Sequence, residues 1–163
     1  MTREITAQLE SPTIGPEILD IDSFIRNLSR LETPPKMEQL FELYNSYCQT
    51  VDSKERDNFI TFFSWGDTLL ADLDAIDRNL LHRKEVFGLL SGMQEIKAWG
   101  SDDNTFVRRY LSFWKALPKI YDSFSRALLE KGHGTTGILC REAVRNLEVF
   151  LEAHPKTLSL IHI

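Results

Sequence analysis

The chain is poor in cysteine, with only Cys48 and Cys140 among 163 residues. Neither belongs to a C-x-x-C pair, so the sequence indicates neither a disulfide framework nor a cysteine zinc site. Long apolar runs are also missing, since no segment approaches the roughly 20 apolar residues that span a bilayer. The opening letters MTREITAQLESPT carry acids where a signal peptide would be apolar. We therefore expect a cytoplasmic protein with no membrane segment.

An excess of basic residues is absent as well. Asp and Glu total 24 against 19 Lys and Arg, which gives a formal charge of −5. This balance provides no overall attraction to phosphate backbones, so any nucleic-acid contact needs a local patch. With 42% hydrophobic and 26% charged residues, the composition is that of a globular chain long enough for one domain with a core.

The familiar signatures of catalysis are not found. The segment KGHGTTG, residues 131–137, lacks the GK[ST] ending of a phosphate loop, and a helix-terminating turn is favoured there. The four histidines show neither ligand spacing nor a nucleophile motif: His82, His133, His154 and His162. We expect no cofactor, no metal and no catalytic residue, and hence no enzyme activity in this chain itself.

Helical periodicity dominates what is present. We predict a mainly α fold, an orthogonal bundle of about six helices, with short N-terminal and C-terminal strand remnants of a truncated α/β core. Residues 1–17 form an irregular lead-in, residues 18–155 the helical domain and residues 156–163 a terminal β-strand. The predicted helices run from Asp20 or Asp22 to Leu31, from Lys36 to about Val51, from Glu55 to Ile76, from Leu80 to Leu90, from Thr105 to Glu130 and from Thr135 or Thr136 to Ala153. The segment SGMQEIKAWG, residues 91–100, is either a loop or one more short helix.

Two short apolar pieces depart from the helical period. Ile18-Leu19 is a candidate strand fragment, and TLSLIHI, residues 157–163, is predicted to be a β-strand. A near-continuous apolar strand normally lies inside a sheet, and this sequence supplies almost no partner strands. The chain therefore resembles part of a longer protein, and the unpaired strand is a candidate contact for a homodimer.

The acidic stretch SWGDTLLADLDAIDR, residues 64–78, combines four aspartates with an apolar stripe. On a helix the stripe is core-facing, and the four carboxylates are dispersed around it instead of converging on one point. We therefore favour a solvated helix edge over a metal site, with Arg78 as an ion-pair partner for Asp74 or Asp77. The stripe comprises Phe62, Trp65, Leu69, Leu73 and Ile76, widened on one side by Leu70, while Asp72 and Asp77 flank it.

A row of basic residues on the long predicted helix is the candidate binding surface. Arg108, Lys115, Lys119 and Arg126 fall within an arc of about 40°, interrupted by Asp122, opposite the apolar side of the helix. Such a row can follow a phosphate backbone. An ordinary solvated helix face is the alternative interpretation.

Five stretches, taken in order, carry a family resemblance: PEILDIDSFI (16–25), LFELYNSY (40–47), FFSWGDTLLADLDAIDR (62–78), YLSFWKALPKIYDSF (110–124) and GTTGILCREAV (134–144). Together they resemble AddB-like subunits of bacterial helicase–nuclease complexes, a group that includes PD-(D/E)xK nucleases and inactivated superfamily I helicases. Each motif consists of common helix residues, so their ordered combination carries the specificity. The sequence departs from the family pattern at Leu73, where an aromatic residue is usual, at residues 79–82, and at Cys140, where a tyrosine is usual.

The resemblance implies a non-catalytic helical subdomain within the N-terminal, helicase-like half of such a subunit. In the family, the nuclease carboxylates lie downstream of this region, and the intact protein belongs to an ATP-dependent helicase–exonuclease complex. The implied partners are DNA and the second helicase–nuclease subunit, during processing of double-strand breaks. The alternative is a helical protein–protein interaction module with no nucleic-acid role, docking through its apolar C-terminal strand.

Overall fold

The computed structural model describes the backbone of residues 19–98 and 105–153, and the side chains of residues 19–92 and 111–153. A mainly α fold is confirmed for these residues. The predicted lead-in and C-terminal strand lie outside them, as does Ile18 of the N-terminal fragment. The described helices are α1 (Ile21–Ser29), α2 (Lys36–Thr50), α3 (Phe59–Arg78), α4 (Arg83–Ala98), α5 (Thr105–Glu130) and α6 (Thr136–Ala153).

The first two helices begin and end close to where the sequence predicts. Asp20 caps α1, since its Oδ1 accepts a hydrogen bond from the Ser23 backbone N–H at 2.8 Å. Arg30 then takes a left-handed conformation with φ 58°, which ends the helix. Pro34 and Pro35 lie between α1 and α2, and Pro35 is the residue directly before the first residue of α2. Ile21, at the start of α1, is apolar and yet 61% exposed.

The third helix starts later than predicted. Asn58 is its N-cap, with Oδ1 accepting from the Thr61 N–H at 2.9 Å, so the predicted start at Glu55 is wrong. The apolar stripe of α3 is confirmed as core-facing: Phe62, Leu70 and Leu73 are buried, and Trp65, Leu69 and Ile76 pack against them in part.

The end of α4 differs from the sequence prediction, whereas the bounds of α5 agree with it. Residues 91–98 continue α4, so they form neither a loop nor a separate short helix. The helix α5 has the predicted bounds and contains Pro118, which cannot donate the usual helical hydrogen bond. The apolar side of α5 is buried or half-buried where the structure describes its side chains: Phe113, Trp114, Leu117, Ile120, Tyr121, Phe124 and Leu128.

The turn between α5 and α6 confirms the prediction for KGHGTTG. Gly132 has φ +71°, a left-handed conformation that favours glycine. The neighbouring backbone pairs with the linker between α1 and α2, where the Gly134 N–H donates to the Glu32 carbonyl at 2.9 Å. Thr135 Oγ1 then accepts from the Ile138 N–H at 3.3 Å, which makes Thr135 the cap of α6.

The core lies where α5 packs against α2 and α4, while α3 joins α2 and α6. The most completely buried large side chains belong to α2, α3, α5 and α6: Leu43, Phe62, Leu73, Ile120, Tyr121, Phe124, Leu128 and Ile138. The fold thereby brings the C-terminal end of α3, the start of α4, the middle of α5 and the start of α6 to one place. Among the helices that the structure describes, none combines the length and apolar character needed to cross a membrane.

Candidate anion-binding groove

A buried carboxylate, that of Asp77, organises the meeting point of these four helices. Its Oδ1 accepts a hydrogen bond from Arg83 Nε at 2.9 Å and another from Arg141 Nε at 2.7 Å. The Tyr121 hydroxyl donates to Oδ2. The Asp77 side chain is only 1% exposed, so the prediction that it lies on a solvated helix edge is wrong. A buried charge is tolerated where several donors satisfy it, and here three converge.

Both arginines make further contacts that hold them in place. Arg141 Nη2 donates to the Leu81 carbonyl at 2.8 Å, within the turn that follows α3. The Arg83 guanidinium lies over the ring of Tyr121, 4.4 Å from the ring centroid, in a cation–π arrangement. Burial, together with the hydrogen bond to Asp77, raises the pKa of the Tyr121 phenol, so this hydroxyl stays protonated as a donor.

A second aspartate of the acidic stretch fixes the start of α6. Asp74 Oδ1 accepts from the Gly137 N–H at 2.5 Å, and Oδ2 accepts from Arg78 Nη2 at 2.7 Å. The predicted Arg78–Asp74 ion pair is therefore confirmed. Gly137 lies directly on the α3 backbone, because a Cβ there would be 2.9 Å from the Arg78 nitrogen. The other two aspartates of the acidic stretch agree with the predicted solvated helix edge. Asp72 is exposed, and Asp67 pairs with Lys36 at the surface.

Next to the Asp77 network, a groove opens between α4, α5 and α6, with a volume of about 590 Å³. Its apolar part is formed by Phe87, Trp114 and Pro118. The titratable side chains that line it are almost all basic: His82, Arg83, Lys84, Lys115, Arg141 and Arg145, against the single acid Asp122.

The charge of the groove is smaller than its lining suggests. Five Lys and Arg side chains line the groove together with the carboxylate of Asp122. Asp77 lies behind Arg83 and Arg141, and Glu142 pairs with Arg145 at 2.5 Å. Among the residues of the lining and these ion pairs, Lys and Arg side chains outnumber the carboxylates, on a chain whose total charge is −5. The groove is therefore suited to an anion of low charge.

The predicted basic row is divided by the fold. Lys115 lines the groove, whereas Lys119 and Arg126 are exposed on α5 outside its lining. The Arg108 side chain lies outside the described residues. Of the described side chains of the row, Lys115 is the one that lines the groove with basic residues of α4 and α6. The binding role of the row as a whole stays a prediction.

The residues that sequence reasoning missed are Arg83, Arg141 and Asp77. A signal for Asp77 was present, because on the helical wheel it falls between Leu73 and Leu70, inside the apolar stripe. No comparable signal marked the arginines, which lie 6 and 64 residues from Asp77 in the sequence. Within the described part of the chain, no group of three or more His, Cys, Asp or Glu side chains is placed to hold a metal ion.

Comparisons with known proteins add no relative. No protein-family model matches the chain, and neither a curated protein nor a solved structure matches it. The resemblance to AddB-like subunits therefore remains a prediction from the five sequence stretches.

Proposed function

We propose that this chain is a non-catalytic helical domain of a cytoplasmic DNA end-processing subunit and that its basic groove contacts the phosphate backbone of DNA. The observation that supports the proposal is the concentration of cations from three helices in one groove of an acidic chain. Sequence-independent DNA affinity comes from Lys and Arg side chains that neutralise phosphates, so a local cluster of such side chains is the feature that this binding requires.

The position of the two ends of the helical domain agrees with the proposal. Phe24 near the start of α1 and Phe150 near the end of α6 pack edge to face, with ring centroids 5.7 Å apart. Asn146 Nδ2 also donates to the Leu28 carbonyl at 2.8 Å. A domain whose ends meet in this way can be inserted into another domain without distorting it. Insertion into a helicase-like α/β core is what the family resemblance implies.

Salt-dependent DNA binding tests the proposal. We expect the chain to bind fluorescein-labelled forked DNA weakly, with fluorescence anisotropy as the readout. If two or three phosphates are neutralised, the association constant falls roughly 12- to 40-fold between about 50 and 200 mM salt. Absence of binding at the lower salt concentration would overturn the proposal.

Charge reversal distinguishes the groove from the predicted row. The double variant Lys84→Glu/Arg145→Glu changes only the groove, whereas Lys119→Glu/Arg126→Glu changes only the row. Arg26→Glu/Lys54→Glu is the control, since both residues are exposed and neither lines the groove. We expect the groove variant to lose at least about tenfold more affinity than the control. A loss confined to the row variant would move the contact to the outer face of α5, and equal losses in all three would contradict a defined site.

A specific surface favours the second candidate, a protein–protein interaction module. Phe41 stacks on Phe59 at 4.6 Å, beside three other exposed apolar side chains of α2 and α3. Contiguous exposed apolar patches commonly mark contact surfaces. If Phe41→Ser abolishes a concentration-dependent association seen by analytical ultracentrifugation, and DNA binding is absent, this second function is favoured. The exposed fractions are 48% for Met37, 47% for Phe41, 83% for Ile60 and 42% for Phe63.

A further inference from the structure

We infer that the groove accommodates one nucleoside phosphate unit, with its base against Trp114 and its phosphate at the lysines of the rim. The inference rests on the proposed function where it assumes that this unit belongs to an unpaired DNA strand. The same chemistry would recognise a free nucleotide, and the experiment below separates the two sources.

The size of the groove is the first argument. A volume of about 590 Å³ lies in the usual range of small-molecule pockets, roughly 300–1,000 Å³. A duplex presents its phosphates on a convex surface and keeps its bases stacked, so a base enters such a concavity only after unpairing. The groove is therefore matched to an unpaired unit better than to a paired one.

The lining provides the second argument, since aromatic and cationic groups occur together. Trp114 lines the groove in a half-buried position and is braced edge to face by Phe113, with ring centroids 5.8 Å apart. Phe87 and Pro118 extend the apolar surface. Aromatic side chains within a cationic groove are the usual means of holding unpaired bases, because every base has a face that can stack.

The third argument concerns which cations hold the phosphate. Arg83 and Arg141 share the single carboxylate of Asp77 and are only 26% and 16% exposed, so their guanidinium groups are already engaged in that contact. Lys84 and Lys115 are exposed at the rim, on α4 and α5 respectively. Asp122 repels a second phosphate on the α5 side. The arrangement thus has room and charge for one phosphate next to one base.

The experiment uses the complete 163-residue chain and strands of about 12 nucleotides. The labelled probe is single-stranded oligothymidylate, read by fluorescence anisotropy. Three unlabelled competitors are compared with it: a blunt duplex, an abasic strand of equal phosphate number, and free thymidine monophosphate. We expect the duplex and the abasic strand to compete at least about tenfold more weakly than the oligothymidylate, because both lack a base that can stack on Trp114.

Substitution at Trp114 locates the effect. Trp114→Leu should remove the preference for the thymidylate over the abasic strand and leave the affinity for the abasic strand unchanged, whereas Trp114→Phe should retain most of the preference. Lys84→Glu should weaken the binding of both strands by the same factor. Circular dichroism and urea unfolding verify that each variant is folded. If Trp114→Leu does not fold, the comparison of the thymidylate with the abasic strand on the unsubstituted chain carries the test.

Each outcome decides between the two proposals. Equal affinity for all DNA competitors, combined with sensitivity to Lys84→Glu, overturns the nucleotide pocket and leaves the phosphate contact standing. Isothermal titration calorimetry with thymidine monophosphate covers the case in which no DNA binds. If the mononucleotide binds there, the pocket is supported as a site for a free nucleotide and the DNA contact is overturned. Binding of neither overturns both.

Discussion

The two ends of α3 are fixed to the rest of the molecule by different kinds of interaction. At the N-terminal end, Phe62 and Trp65 pack among aromatic rings, with Tyr47 5.2 Å from Phe62 and 5.6 Å from Trp65 between centroids. At the C-terminal end, Asp77 and Asp74 accept hydrogen bonds from α4, α5 and α6. Apolar packing is non-directional and tolerates changes of similar volume, whereas a buried charge requires its particular donors. The comparison teaches that one helix can depend on shape at one end and on charge at the other.

Removing the carboxylate of Asp77 should have the largest effect. Asp77→Ala leaves Arg83 and Arg141 without their counter-charge and the Tyr121 hydroxyl without its acceptor, so we expect the free energy of unfolding to fall by about 3–5 kcal/mol. Urea unfolding followed by circular dichroism measures the change. Asp72→Ala, at an exposed position of the same helix, is the control and should change it by less than about 0.5 kcal/mol. Equal effects of the two substitutions would show that the Asp77 network does not stabilise the fold.

Conservative substitutions sharpen the contrast between the two ends. Phe62→Ala should lower the free energy of unfolding by about 3–5 kcal/mol, but Phe62→Leu by much less, since apolar volume is largely kept. Asp77→Asn preserves the shape of the side chain but removes its charge. We expect it to lower the free energy of unfolding by most of the amount expected for Asp77→Ala. If Asp77→Asn is as mild as Phe62→Leu, the two ends do not differ in the way proposed.

Two glycines test how closely α6 is packed on the charged end of α3. In Gly137→Ala the new methyl group would fall on the Asp74 carbonyl and within 2.8 Å of the Asp77 Cβ, so we expect a loss of about 1–3 kcal/mol or more. Gly88→Ala, in α4, meets no atom within 4 Å and should instead stabilise the protein by about 0.5–1 kcal/mol. Thermal unfolding of the pair is the measurement, and a mild Gly137→Ala would contradict the direct contact of the two backbones.

Alkaline pH should weaken the charged end gradually. Tyr121 has a raised pKa in the folded chain, whereas the unfolded chain ionises it near the ordinary value of 10.0. Above about pH 10 the folded state therefore binds more protons than the unfolded state, and stability falls as pH rises, by up to about 1.4 kcal/mol per pH unit for this group. Below pH 10 its contribution is fully present. Urea unfolding as a function of pH should give a flatter alkaline slope for Tyr121→Phe, and an unchanged slope would exclude Tyr121 as the cause.

Much of the helical layout is predictable because its signals are local. Asp20 caps α1, the Pro34-Pro35 pair separates α1 from α2, and Gly132 ends the longest helix, each through interactions with nearby backbone. The errors are also local in origin. Asn58 starts α3 in place of Glu55, and α4 continues through residues 91–98, where no glycine or proline signal is strong enough to stop it.

The candidate site was predictable only in part. Lys115 was identified as a potential phosphate contact because it belongs to a basic row, and the structure places it in the groove. Arg145 and Lys84 have no place in that row, since each lies on a different helix. Their approach to Lys115 depends on how three helices pack, which no window of the sequence contains.

By itself, the sequence determined the order of the helices, their caps and the apolar stripes that form the core, because these depend on residues within one or two turns of each other. The tertiary structure alone decided the fate of the aspartates in SWGDTLLADLDAIDR. Asp77 became a buried charge because Arg83, Tyr121 and Arg141 converge on it from three other helices. Asp72 stayed in solvent, on a side of α3 that none of the described helices covers. The same residue type takes opposite roles, since the free energy of a carboxylate is set by the donors around it.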